Sequence, residues 1–164
     1  MEIYNEKFIS LRMTNNVFDG TISTLIGTML NLTDFTIGSS LMNGIIPTEL
    51  FQLTALKILD LHNSSFSGPL SEPGFAKLLN LRRFEVYGNE FTGTIPSMAI
   101  ANMTNLKRLQ LQGNDMLSGS ITDEICKLRG TTPNDLQILI VGCKVKCGVL
   151  IKDCCDDNPE CERK

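Results

Sequence analysis

Hydrophobic positions recur along this chain in a fixed frame that fits neither a long helix nor a long strand. Around residues 81–96 the frame reads Leu81, Phe84, Val86, Asn89, Phe91, Gly93 and Ile95, with Pro96 following. The same frame holds Phe8, Leu11, Met13, Asn16, Phe18, Gly20 and Ile22. It returns as Leu32, Phe35, Ile37, Ser40, Met42, Gly44 and Ile46, then as Leu56, Leu59, Leu61, Ser64, Phe66, Gly68 and Leu70. A fifth copy has Leu106, Leu109, Leu111 and Asn114, then Leu117, Gly119 and Ile121 after a one-residue insertion; a partial sixth keeps Leu136, Leu139 and Val141. The key positions 16, 40, 64, 89 and 114 lie 24, 24, 25 and 25 residues apart. A fixed period of this size marks stacked repeats, each burying its apolar side against the next.

Each part of the frame predicts a local structure. The L-x-L alternation is a short strand with its leucines inward, and one strand per repeat stacks into a parallel sheet. The Asn position falls where the chain leaves the strand. A buried turn needs partners for its backbone groups, and Asn donates and accepts at once. Asn16, Ser40, Ser64, Asn89 and Asn114 are therefore expected to form a structural ladder, weaker at the two serines. The glycine permits the next bend, and proline, where present, fixes the backbone entering the outer segment. Those outer segments (Ser23–Asn31, Thr48–Leu53, Gly74–Asn80, Ser97–Met103 and Thr122–Leu128) are expected to be short helices or 3-10 turns.

The frame LxxLxLxxNxFxGxIP resembles the plant-type, extracytoplasmic leucine-rich repeat family over roughly residues 8–142, most specifically in its GIIP and GTIP steps. The resemblance implies an α/β solenoid with a parallel β-sheet on the concave face and short helices or 3-10 turns on the convex face. It implies a non-catalytic extracellular recognition module, receptor-like or defence-type, that binds a protein, peptide or glycan. The family also includes secreted inhibitors of cell-wall-degrading hydrolases such as polygalacturonases, which gives an alternative function. Ser40 and Ser64 depart from the pattern, as does the missing proline after Ile22, Leu70 and Ile121. Members usually start with a signal peptide and a cap containing Trp and Cys. The opening MEIYNEKFISL shows neither, so the expectation is a secreted or cell-surface protein whose leader and N-terminal cap are not in this chain.

Composition narrows the options. The net charge is −3 and 20% of residues are charged, which gives no general attraction to nucleic acid. No apolar run approaches the roughly 18 residues of a transmembrane helix. There is one histidine, His62, and no tryptophan. No nucleophile–base pair, phosphate loop, cofactor motif or metal motif is recognisable, so the expectation is a non-enzyme without cofactor or metal, and a monomer. Six cysteines, Cys126, Cys143, Cys147, Cys154, Cys155 and Cys161, crowd the C-terminal end. Residues 1–142 are thus expected to be the repeat array and 143–164 a disulfide-rich cap covering its last rung, in an oxidising compartment. Cys126 and Cys143 flank the last strand and are the proposed bridge. The alternative, a zinc site built on the tail thiolates, has a spacing that matches no standard zinc pattern. The tail also resembles the cysteine-rich caps of algal leucine-rich repeat proteins. If the thiols are reduced and no leader exists, an intracellular protein-interaction scaffold is a further alternative.

Between the strand leucines, outward positions form columns: Ser10, Asp34, Ile58, Arg83, Arg108; Arg12, Thr36, Asp60, Glu85, Gln110; and Thr14, Gly38, His62, Tyr87, Gln112. The candidate partner-binding residues are Asp60, His62, Arg83, Glu85, Tyr87, Arg108, Gln110 and Gln112, because an aromatic beside Arg and carboxylates is a common hot-spot composition. The plainer reading is a solvated face of mixed charge that keeps the protein soluble. Arg82, Arg83, Lys107 and Arg108 make a small basic strip suited to an acidic peptide or glycan. Asn31, Asn63 and Asn102 head N-x-[ST] sequons and are candidate glycosylation sites.

Overall fold

The computed structural model describes residues 9–70, 72–128, 136–141 and 146–147. Three-residue strands at Ser10–Arg12, Asp34–Thr36, Ile58–Asp60, Arg83–Glu85, Arg108–Gln110 and Ile138–Ile140 form one parallel sheet in chain order. Its register pairs Ser10, Asp34, Ile58, Arg83, Arg108 and Ile138 across the rungs, as the repeat alignment requires. The central leucine or phenylalanine of each strand points inward; Leu59, Phe84, Leu109 and Leu139 are fully buried. Phe66 and Phe91, one repeat apart, stack in the core with ring centroids 6.5 Å apart.

A second sheet was not expected from the sequence. Asp19–Gly20, Leu41–Ile45, Ser65–Pro69, Glu90–Thr94 and Met116–Ser118 pair in parallel along the adjoining side. The F-x-G-x-I portion reads as a bend, and the glycines do take positive φ (Gly68 +79°, Gly93 +78°). Flanking residues stay extended, however, and stacked copies bring their unpaired backbone groups to strand-pairing distance. The outer segments are single turns: 3-10 at Thr24–Thr28 and Thr48–Gln52, α-helical at Glu72–Phe75, Ser97–Ala101 and Asp123–Cys126. The third begins two residues before the expected Gly74.

The ladder forms where asparagine is present and a preceding rung exists. Asn89 Nδ2 donates to Leu61 O (2.8 Å) and Val86 O (3.0 Å), while its Oδ1 accepts from Phe66 N (3.0 Å). Asn114 repeats this one rung on, donating to Val86 O and Leu111 O and accepting from Phe91 N. Ser40 and Ser64 are joined only through their hydroxyls at 3.1 Å, with a long 3.4 Å bond from Ser40 N to Ser64 Oγ. Asn16 does not act as a ladder residue: it is exposed and donates only to Thr14 O nearby. The ladder side chain reaches back to the preceding repeat, and among the described residues none precedes Asn16. For the same reason Phe18, expected in the core, is 49% exposed.

The residue before each ladder position is a further constraint. Asn15, Ser39 and Asn63 take positive φ (57°, 54° and 47°), and Gly88 and Gly113 fill that place in the next two repeats. Asn and Gly tolerate this left-handed conformation best.

At the C-terminal end, Cys126 is disulfide-bonded. Cys147 lies on a two-residue strand, Lys146–Cys147, that pairs with Ser120–Ile121. Cys143, Cys154, Cys155 and Cys161 lie outside the described residues, and with them the proposed Cys126–Cys143 pairing, the capping domain and the zinc alternative. Phe8 of the first repeat lies outside them too. Among the described residues, no helix is long and apolar enough to cross a membrane, and no group of His, Cys, Asp and Glu is placed to hold a metal ion.

Candidate functional site

The rungs from Ile58 to Gln112 carry most of the polar chemistry of the concave face. The strands place Asp60, Glu85 and Gln110 in one column and Arg83 and Arg108 in the column before it. His62 and Tyr87 follow two residues after Asp60 and Glu85. The outward carboxylates are not solvated as a simple alternation suggests: Asp34 and Asp60 are 4% exposed and Glu85 is 3% exposed. Neighbouring strands stand only about 4.8 Å apart, so long side chains on adjacent rungs fold over the shorter acids between them.

Each covered acid has cationic or hydrogen-bonding partners. Asp34 is paired with Arg12 and accepts from Thr36 Oγ1 at 2.8 Å. Asp60 Oδ1 lies 2.5 Å from His62 Nδ1, and its Oδ2 is 3.6 Å from Arg83 Nη2. Glu85 Oε2 accepts from Arg83 Nη2 at 2.6 Å, and its Oε1 is 3.3 Å from Arg108 Nη1. The carboxylates therefore anchor the arginines while 41% of the Arg83 side chain and 42% of the Arg108 side chain stay exposed. Burial alone would disfavour the Arg83 charge, but the Glu85 hydrogen bond and the charges of Glu85 and Asp60 outweigh it, so its pKa is raised.

His62 is held at both nitrogens. Nδ1 faces Asp60, and Nε2 lies 3.1 Å from Ser39 Oγ on the preceding rung. Its ring stacks on Tyr87 with centroids 4.9 Å apart and an interplanar angle of 17°. Gly38 makes room for this arrangement, since a Cβ there would overlap the His62 ring. The Tyr87 phenol is pushed above its ordinary pKa, first by burial and then by the negative charges of Asp60 and Glu85. It therefore stays a neutral donor and acceptor. Gln112 extends the same column, and its Oε1 is buried without a hydrogen-bond partner among the described residues.

All eight sequence-derived candidates thus lie on three adjoining rungs. Asp60 and Glu85 serve as buried anchors, whereas Arg83, Tyr87, Arg108, Gln110 and Gln112 present partly exposed surface. Sequence reasoning missed the Arg12–Asp34–Thr36 cluster and the role of Ser39. It also left Lys57 out of the basic strip, although positions 57, 82 and 107 are each 25 residues apart.

No protein-family model matches the chain, and no curated protein matches it. Solved structures do match. One is the leucine-rich repeat ectodomain of the plant membrane receptor kinase GASSHO1/SCHENGEN3 from Arabidopsis thaliana, in complex with CASPARIAN STRIP INTEGRITY FACTOR 2. It is 30% identical with a TM-score of 0.69, covering 84% of this chain and 15% of that one. Another is the Arabidopsis receptor kinase HAESA in complex with the peptide hormone IDA and the co-receptor SERK1, 27% identical with a TM-score of 0.72, covering 84% and 22%. The repeat frame and the fold are those of plant leucine-rich repeat ectodomains. This leucine-rich repeat protein spans well under two thirds of the length of those receptor chains. A plant ice-binding protein is also similar, at 26% identity and a TM-score of 0.65, covering 73% of this repeat protein and 38% of that chain.

Proposed function

We propose that this leucine-rich repeat protein is a secreted or cell-surface recognition module that binds a protein or peptide partner on its concave face. The observation that carries this is the stacked His62–Tyr87 pair beside Arg83 and Arg108, with His62 and both arginines held by buried carboxylates on a hydrogen-bonded sheet. Such side chains lose little conformational freedom on binding, and aromatic and Arg anchors dominate interface energetics. The receptor neighbours, solved with a peptide hormone and a co-receptor in one case, support the same reading. An extracellular setting also accords with the exposed sequon residues Asn31, Asn63 and Asn102.

The ice-binding neighbour directs attention to the second sheet. Its columns run Ile45, Ser67, Glu90 and Pro69, Thr92, Met116, with no side chain repeated from rung to rung to match a lattice. Nothing on that face favours ice binding over recognition on the other.

The test is affinity capture from extracellular medium with three immobilised proteins: wild type, Tyr87→Ala with Arg108→Ala, and Lys77→Glu with Lys127→Glu on the outer side. A species retained by the first and third and lost from the second supports the proposal. A species retained equally by all three contradicts it. Adding captured hydrolases to an activity assay separates an inhibitor from a receptor-type module.

A further inference from the structure

The concave face is electrically divided along its strands. At the strand starts, Lys57, Arg82, Arg83, Lys107 and Arg108 line a cleft of about 380 Å³ together with Ile58, Gln137 and Ile138. Among the described residues, no carboxylate lines it. Glu85, the acid paired with Arg83 and Arg108, lies further along the strand. Five cations thus converge in a chain whose net charge is −3.

The row is rigid at its base. Lys57 O accepts from both Arg82 N and Arg83 N (2.7 and 3.1 Å), and Arg82 O accepts from Lys107 N and Arg108 N (2.8 and 3.1 Å). Lys107 O does the same for Gln137 N and Ile138 N (2.9 and 3.2 Å). These paired bonds hold the backbones of three consecutive basic residues one rung apart. A concave surface of one charge sign concentrates ligands of the other sign and steers their approach.

We propose that this cleft receives Asp or Glu side chains of an extended segment of the partner, while the rest of the segment lies on the His62–Tyr87 pair. The proposal rests on the concave-face reading and adds the chemistry and the direction of the ligand. An acidic peptide fits better than an acidic glycan. The cleft has apolar walls at Ile58 and Ile138 but no aromatic ring for a sugar to stack on, and the face's aromatic pair lies beyond the other end of the strands. The same lack of a ring, with only three basic rungs, disfavours single-stranded nucleic acid, which uses stacking platforms.

The probe is a fluorescein-labelled Glu-Ala repeat peptide followed by fluorescence anisotropy, with an oligogalacturonate as competitor. Wild type is expected to bind the peptide with an affinity that falls as salt rises. Lys57→Glu with Arg82→Glu is expected to weaken binding about tenfold or more. Lys77→Glu with Lys127→Glu makes the same net-charge change on the outer side and is expected to leave binding unchanged. Lys57→Gln with Arg82→Gln, which keeps polar side chains at both places, is expected to fall between wild type and the reversal, and replaces the reversal if circular dichroism shows that variant misfolded. Undetectable binding to wild type, equal loss in the inner and outer reversals, or displacement by oligogalacturonate at far lower concentration than by unlabelled peptide would overturn the proposal. A partner still lost on Tyr87→Ala with Arg108→Ala, but indifferent to Lys57 and Arg82, would leave the recognition reading standing without this inference.

Discussion

At the scale of single residues, one position in the repeat has two outcomes. Asn89 and Asn114 each donate to carbonyls of two repeats and accept a backbone N–H from the earlier one. Removing either leaves buried backbone groups without partners. Asn89→Ala or Asn114→Ala is expected to lower unfolding free energy by about 1–3 kcal/mol in denaturant titrations. The exposed Asn16→Ala should stay within about 0.5 kcal/mol of wild type. Tyr87 offers a spectroscopic check of the buried acids. Its raised pKa means the folded state disfavours the phenolate. That contribution to stability is fully present below the unfolded phenol value near 10 and is lost as pH rises through the folded value. In a Tyr4→Phe background, where Tyr87 is the single tyrosine, ultraviolet titration should place the phenol above the free value. Asp60→Asn with Glu85→Gln should bring it down, and an unchanged midpoint would mean the acids do not act on Tyr87.

At the scale of the repeat, the inward half is where the sequence is most informative. The leucines of L-x-L alternate with period 2, and an inward side chain in a stacked rung has no alternative environment. Leu109 is fully buried between rungs, and Leu109→Ala is expected to cost about 2–5 kcal/mol in thermal or chemical unfolding. The second sheet was hidden because its strands set glycine and polar residues around a single buried apolar residue (Met42, Phe66, Phe91 or Leu117) rather than alternating apolar residues. Pairing there follows from stacking, not from propensity. The covered state of Asp60 and Glu85 was hidden for a related reason. Alternation tells which side of the sheet a residue faces, but their burial depends on Arg83, Arg108 and His62 folding over them from neighbouring positions. The His62 site also depends on an empty space, the missing side chain of Gly38. Gly38→Ala is expected to displace the His62 ring and broaden or shift its imidazole resonances against Tyr87. An unchanged His62 spectrum would mean the ring does not lie over Gly38.

At the scale of the whole molecule, the array has a scaffold side and a presenting side. The outer turns, second sheet and Asn ladder tie successive repeats together, and the concave sheet carries cations at the strand starts and the aromatic pair past the strand ends. That asymmetry is consistent with a ligand read in one direction. Charge and aromatic groups are gathered on the middle rungs, where neighbours on both sides hold them in place. The most direct test of concave recognition is the equilibrium affinity of a captured partner for wild type, Tyr87→Ala and Lys77→Glu with Lys127→Glu, each checked for native circular dichroism. Concave recognition predicts that Tyr87→Ala weakens binding by about tenfold or more while the outer-side variant binds as wild type does. Wild-type affinity in Tyr87→Ala, or loss confined to the outer-side variant, would contradict it.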